Sequence, residues 1–236
     1  MKKLIIGATG SIGSAVSRNI QKNGGKTHLV GRNEREISAL ASELGSTFTV
    51  ADVLNENFSE KIIADLGSEE IDGLAFCVGS IDLKPLKLTK KSDYMQCFNL
   101  NLISATEIIR ASHDKLKKNK GSIVLFSTVD ARKGFLNHSI ISSAKAAVEG
   151  LTVALAAEFA PHVRVNCIAP SLSKSKMAAP MLKNEKMAES IAKMHALKRI
   201  GEGDDFSSMV NFLLSKDSSW MTGQIIGVDG GRSSVA

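Results

Sequence analysis

Short apolar runs alternate with longer amphipathic ones along the whole chain. The runs at 3–6, 28–30, 48–50, 74–78, 122–126, 164–168 and 224–228 have the length of strands. Between them, segments 12–22, 34–44, 56–66, 92–116, 138–158 and 204–214 have helix length and helical spacing of apolar positions. Strands this short and apolar are buried on both faces of a sheet, and a parallel neighbour needs a crossover connection, usually a helix. The alternation therefore predicts an α/β fold: a doubly wound, seven-stranded parallel sheet between two helical layers. Segment 172–203 departs from the pattern. It is long, rich in Lys and Met and poor in glycine, and is expected to form one or two mobile helices as a lid over a site. No repeat, low-complexity tract or Pro/Gly-rich linker intervenes, so residues 1–236 are read as one domain.

Ligands of such sheets bind beyond the carboxyl ends of the strands. The first strand run leads there into Gly7-Ala8-Thr9-Gly10-Ser11-Ile12-Gly13 and then into a helix. Glycines at this turn let the backbone approach a pyrophosphate, and free N–H groups at the helix start meet its charge. Gly7, Thr9, Gly10, Ser11, Ile12 and Gly13 are thus the expected dinucleotide cradle of a Rossmann-type fold. The second run ends at Val30-Gly31-Arg32-Asn33. An acidic residue there would favour NAD through the ribose 2′-hydroxyl. The Arg32 guanidinium suits a 2′-phosphate instead, so the expected cofactor is NADP(H), with NAD as second choice.

Further along, the segment Ile140-Ile141-Ser142-Ser143-Ala144-Lys145-Ala146-Ala147-Val148-Glu149-Gly150 resembles the active-site helix of the short-chain dehydrogenase/reductase family, and the resemblance extends over nearly the whole chain. It implies an oxidoreductase acting on a small-molecule carbonyl or alcohol. By this resemblance Lys145 holds the nicotinamide ribose, Asn101 supports a proton-relay water, and Thr128 stands where the family has a serine that hydrogen-bonds the substrate oxygen. Ser127 takes that role if the register slips by one. Asp52 and Val53 match an adenine-contacting pair, and Ser175 a hydroxyl on the cofactor's carboxamide. Arg164-Val165-Asn166-Cys167-Ile168-Ala169-Pro170 matches the sixth strand, with Ser171 in place of a glycine. Val228-Asp229-Gly230-Gly231 matches a C-terminal stretch found at subunit contacts. Where the family usually has Asn-Asn-Ala-Gly, this chain has Phe76-Cys77-Val78-Gly79, which implies a more apolar cofactor slot at Val78 and Gly79. The glycine spacing also differs from the common branch and is similar to that of sugar-nucleotide epimerases, which makes an isomerase the last-ranked reading.

The largest departure is Ile141. The family carries a tyrosine four residues before the lysine and uses it to protonate the alkoxide left by carbonyl reduction; isoleucine has no proton to give. The single tyrosine, Tyr94, is read as a packing residue. His138 lies three positions before Ile141, on the face that also carries Ser142 and Lys145. Imidazole titrates near neutrality and is the commonest general acid, so His138 is the candidate replacement. The rival reading is a dinucleotide-binding protein without turnover, serving as a sensor or partner subunit.

Composition narrows the rest. The formal net charge is +6, but the lysines are scattered, and the cluster Lys115, Lys117, Lys118 and Lys120 falls at a predicted helix end, where cations suit the helix dipole. Nucleic acid is therefore not an expected partner. Cys77, Cys97 and Cys167 show no paired spacing, and the histidines fall in no metal-ligand pattern. No uninterrupted apolar run of about eighteen residues is evident. Lys2-Lys3 followed by an apolar stretch ends in the glycine loop rather than in a cleavage site. The expectation is a cytoplasmic protein with no metal and no membrane partner. The family resemblance implies a homo-oligomer, a dimer or tetramer, assembled through the two long helices and the C-terminal strand, and Ala144, Ala146, Ala147, Ala154, Ala156 and Ala157 would permit close helix approach.

Overall fold

A computed structural model describes residues 1–235. Seven strands form one parallel sheet: β1 (Lys2–Ile6), β2 (Lys26–Gly31), β3 (Thr47–Val50), β4 (Ile71–Phe76), β5 (Ser122–Phe126), β6 (Arg164–Pro170) and β7 (Ile225–Val228), in the order β3-β2-β1-β4-β5-β6-β7. The winding reverses between β1 and β4, where Ile6 pairs with Phe76, so their carboxyl ends flank the switch-point crevice.

Helices α1 (Ser11–Lys22), α2 (Glu34–Leu44) and α10 (Gly203–Leu214) cover one face through a core that includes Val16, Ile37 and Phe206. Helices α3 (Phe58–Leu66), α5 (Ser104–Lys118) and α7 (Ser139–Phe159) cover the other with Ile62, Ile108 and Val148. Each helix turns its apolar stripe onto the sheet, so both sheet faces are dry, as the uninterrupted apolar strands require. A short helix, α6 (Asp130–Lys133), follows β5, and α8 (Ala179–Leu182) and α9 (Glu185–Lys193) lie in the segment expected to form a lid.

Two expectations change. The helix expected over 92–116 is interrupted: α4 (Lys91–Phe98) passes through a π-helical turn at Asn99–Ile103 into α5. The Asn101 side chain is the physical reason. Its Nδ2 donates to the Cys97 carbonyl at 2.8 Å, the acceptor that the Asn101 backbone N–H would use in an α-helix. Second, α7 is by length and composition apolar enough to cross a membrane, although no uninterrupted run stood out in the sequence. It packs instead on β6 and buries Lys145 and Glu149, so its apolar character is that of a core helix.

One buried group gives the fold an acid limit. His28 on β2 is enclosed, with Nδ1 2.8 Å from Thr47 Oγ1 and Nε2 3.0 Å from Thr49 Oγ1. Burial, reinforced by Lys2, pushes its pKa down from 6.5 to about 4. Below the ordinary value the unfolded chain takes up a proton that the folded one refuses, so stability is lost as pH falls from 6.5 toward 4. The loss amounts to roughly 3 kcal/mol. Urea titrations across that range are expected to show it, and His28→Gln to flatten it; an equally steep limb in the variant would assign the loss to other groups.

Candidate active site

A cavity of about 1440 Å³ opens at the switch point, lined from the glycine loop to the segment around α8 and α9. At its cofactor end the loop is held tightly. Gly7 sits at φ +78°, a conformation open to glycine, and Gly10 N–H donates to the Gly7 carbonyl at 3.1 Å. A Cβ on Gly13 would lie 2.3 Å from Gly7 O, so no side chain fits there. Gly10 caps α1 without a side-chain partner, and the first N–H groups of a helix have no acceptor within it. Thr9, Gly10, Ser11 and Ile12 line the cavity, whereas Gly7 and Gly13 shape the loop from behind. Arg32 stands on the same wall and is in no ion pair among the described residues.

Val78, Gly79, Pro170, Ser171 and Ser175 also line the cavity. The Ser175 hydroxyl accepts from Ala178 N at 3.0 Å. Asp52 and Val53 do not line it. Asp52 Oδ1 accepts from Leu54 N at 3.0 Å to form a turn, and Val53 is buried in the core. Cys77 lines the cavity beside them, but burial raises its pKa to about 12, so it is an inert thiol.

Across the crevice, the carboxyl end of β5 and the start of α7 bring Thr128, His138 and Lys145 to one wall. Lys145 is buried, and its Nζ donates to the Phe126 carbonyl at 2.9 Å. Burial lowers its pKa from 10.5 to about 8. Asn101 is not on the wall but one layer behind it. A Cβ on Gly79 would lie 3.3 Å from Asn101 Oδ1 and 3.4 Å from Lys145 Nζ, so both groups crowd the same glycine. Asn101 Oδ1 is a buried acceptor without a hydrogen-bond partner among the described residues.

Ile141 faces elsewhere. It is buried with Cys97, Ile140 and Ala144 against Tyr94 and Phe98, and it is not part of the cavity wall. Tyr94 donates to Ser139 Oγ at 3.1 Å and is a packing residue. Ser127 is committed inward: its hydroxyl donates to Glu149 Oε1 at 2.8 Å, and Glu149 pairs with Arg132 at 2.7 Å. Ser127 and Thr128 both line the cavity, and the Thr128 hydroxyl is turned to Asp130 rather than inward to Glu149.

Two groupings were not foreseen from the sequence. Asp130, buried at the start of α6, accepts a short hydrogen bond from Thr128 Oγ1 and a longer one from Ser142 Oγ at 3.4 Å. Its Oδ2 lies 3.8 Å from His138 Nε2. His138 Nδ1 is 2.6 Å from the Leu136 carbonyl, which can only accept, so Nδ1 carries a hydrogen and Nε2 is the exchangeable nitrogen. The other grouping centres on His195. It is buried on the cavity, with Nδ1 2.9 Å from Ile191 O and Nε2 2.8 Å from Ser171 Oγ. A polar residue spaced two from Thr128 was the available signal for Asp130; nothing in the sequence signals His195, whose partner lies 24 positions away.

The segment over the cofactor end is tied at both sides. Ser11 Oγ donates to Lys174 O at 2.8 Å, and Lys176 Nζ pairs with Glu36 of α2 at 2.7 Å.

Comparison with known proteins is consistent with this geometry. A family profile described as enoyl-(acyl carrier protein) reductase matches residues 7–233. A tropinone reductase homologue of Arabidopsis thaliana is 33% identical over 238 residues, covering 97% of this chain and 90% of the relative. A 3-oxoacyl-(acyl-carrier-protein) reductase of Rickettsia bellii is 30% identical over 237 residues, covering 98% and 96%. Among solved structures, ElxO with NADP bound superposes with a TM-score of 0.89 at 26% identity, covering 98% of both chains. A tyrosine-to-phenylalanine variant of ElxO has been solved with NADPH bound.

Proposed function

The chain belongs to the short-chain dehydrogenase/reductase family, and from that premise we propose that it is an NADP(H)-dependent oxidoreductase acting on a carbonyl or alcohol, with His138 in place of the tyrosine as proton donor. The observation that carries this reading is one continuous cavity. It runs from a glycine cradle beside an unpaired Arg32 to a wall holding Lys145, Thr128 and His138.

The residues fit a phosphorylated dinucleotide: the cradle admits no side chain at Gly13, and the planar Arg32 guanidinium is free to contact a phosphate through paired N–H groups. A bound nicotinamide supplies or accepts the hydride. Thr128 Oγ1 lies on the wall, and its hydroxyl, which donates to Asp130 in the unliganded site, would turn its single proton from that carboxylate to the substrate oxygen. The Lys145 ammonium stabilises the negative charge that develops at that oxygen. His138 Nε2, beside the Asp130 carboxylate, delivers the proton, and the Leu136 carbonyl holds the ring by its other nitrogen.

Titration with NADPH and NADH, followed by a carbonyl panel, tests the reading. NADPH is expected to bind at least about ten-fold more tightly than NADH, and Arg32→Asp to reverse the order. Equal affinities in the wild-type protein would remove Arg32 as the selector. A second reading, a dinucleotide-binding protein without turnover, is favoured by the burial of Ile141 away from the cavity. Tight NADPH binding with no oxidation by any member of the panel would support it.

A homo-oligomer, dimer or tetramer, is part of the proposal. Helix α7 leaves Ser143, Ala146, Gly150, Val153 and Ala157 exposed along one stripe, small enough for close approach of a second copy. Sedimentation as a monomer would reject it.

A further inference from the structure

Two arginines line the cavity, Arg32 at the cofactor end and Arg232 near Phe135 and Met194. Elsewhere Arg18, Arg132 and Arg199 each have a carboxylate partner, Arg164 is occupied by main-chain carbonyls, and Arg35 and Arg110, which do not line the cavity, are in no ion pair among the described residues. Among the described residues neither cavity arginine is in an ion pair. A 2′-phosphate accounts for Arg32; Arg232 has no such account.

Its setting is built rather than loose. The Arg232 backbone N–H donates to the Asp229 carbonyl at 3.1 Å, and its own carbonyl accepts from Lys133 Nζ at 2.8 Å. Asp229 closes the loop by accepting from Gly231 N at 2.9 Å and Ser233 N at 2.8 Å. The guanidinium lies over the Phe135 ring, 5.0 Å from its centre, and reaches Met194 O at a long 3.5 Å. A guanidinium has five N–H donors, so most are unused. Leu136, Met181 and Ile191 supply apolar surface to the same cavity. The cavity's carboxylates are engaged: Glu36 with Lys176, and Asp130 with Thr128 and Ser142.

We propose that the substrate is an apolar molecule bearing one anionic group, a carboxylate or a phosphate, and that Arg232 binds this group while the apolar body lies on the Leu136, Met181 and Ile191 wall. This rests on the oxidoreductase reading of the same cavity. Arg232 acts in specificity and not in proton transfer, because a guanidinium keeps its protons.

Calorimetric titration of the wild-type protein, Arg232→Met and Arg232→Lys with dodecanoate, dodecyl phosphate and dodecanol tests the proposal, each with and without saturating NADPH. The wild-type protein is expected to bind at least one anion about ten-fold more tightly than dodecanol. The anion bound more tightly identifies the group recognised. Arg232→Met is expected to abolish the preference while changing dodecanol affinity less than about two-fold, and Arg232→Lys to retain part of it. No anion preference in the wild-type protein, or an undiminished one in Arg232→Met, overturns the proposal. A melting curve on each variant separates loss of the site from loss of the fold. The oxidoreductase reading fails separately, through absent NADPH binding in the same samples, and the anion comparison without NADPH still decides the role of Arg232.

Discussion

Lys145→Met is expected to reduce turnover roughly a hundred-fold to a thousand-fold without lowering the melting temperature at pH 7. The two effects separate because the ammonium serves chemistry at the expense of stability. Lys145 is buried, and its only side-chain hydrogen bond among the described residues is to the Phe126 carbonyl. Burial lowers its pKa from 10.5 to about 8. Below about 8 it is charged in both folded and unfolded chains, and the folded one carries the desolvation cost. Between about 8 and 10.5 the unfolded chain holds the proton that the folded chain has released, so stability rises with pH. The gain is roughly 3 kcal/mol. Methionine keeps the packed stem and removes the charge. Melting curves from pH 7 to 10.5 should therefore rise for the wild-type protein relative to Lys145→Met. A variant that melts several degrees lower at pH 7 would make Lys145 a structural residue, and one that turns over normally would remove it from the mechanism. Reduction by the wild-type protein is also expected to decline as pH passes about 8, where the ammonium is lost.

His138→Gln is expected to lower kcat about 10²- to 10⁴-fold, the range of a general acid, with NADPH affinity unchanged. His138 lines the cavity with Thr128 and Lys145, and imidazole is the commonest general acid. Glutamine fills similar space and can hydrogen-bond Asp130 but cannot protonate an alkoxide. Asp130→Asn should act in the same direction with a smaller effect, because Asp130 touches Thr128, Ser142 and His138 and so positions the donor. A positioning role predicts partial activity in Asp130→Asn and none of the pH response being restored by raising substrate. Undiminished kcat in His138→Gln would transfer proton delivery elsewhere, first to His195 and Ser171, which share a 2.8 Å hydrogen bond on the same cavity.

The strand and helix layout was legible because its signal is local. The apolar runs ending at Ile6, Val30 and Phe126 are strands because both faces of each must be dry, and the run of residues states that directly. The glycine cradle was legible for a related reason: backbone approach at Gly7 and Gly13 allows no other residue. The break within 92–116 was not, since Asn101 could equally have pointed outward; only burial turned its amide onto the Cys97 carbonyl. Asp52 and Val53 were placed on the cofactor by resemblance, and the structure sets both off the cavity wall because one closes a turn and the other fills the core.

By itself, then, the sequence determined the parallel sheet, the nucleotide cradle, the position of Arg32 and the loss of a phenol at Ile141. These depend on residue type and spacing within a few turns of chain. Tertiary structure alone decided which polar groups meet. His138 approaches Asp130 across 8 positions and His195 meets Ser171 across 24, while Arg232 from the last turn lies over Phe135 after β5. Such meetings follow from strand order, through the burial of whole elements against one another, and no local spacing encodes them.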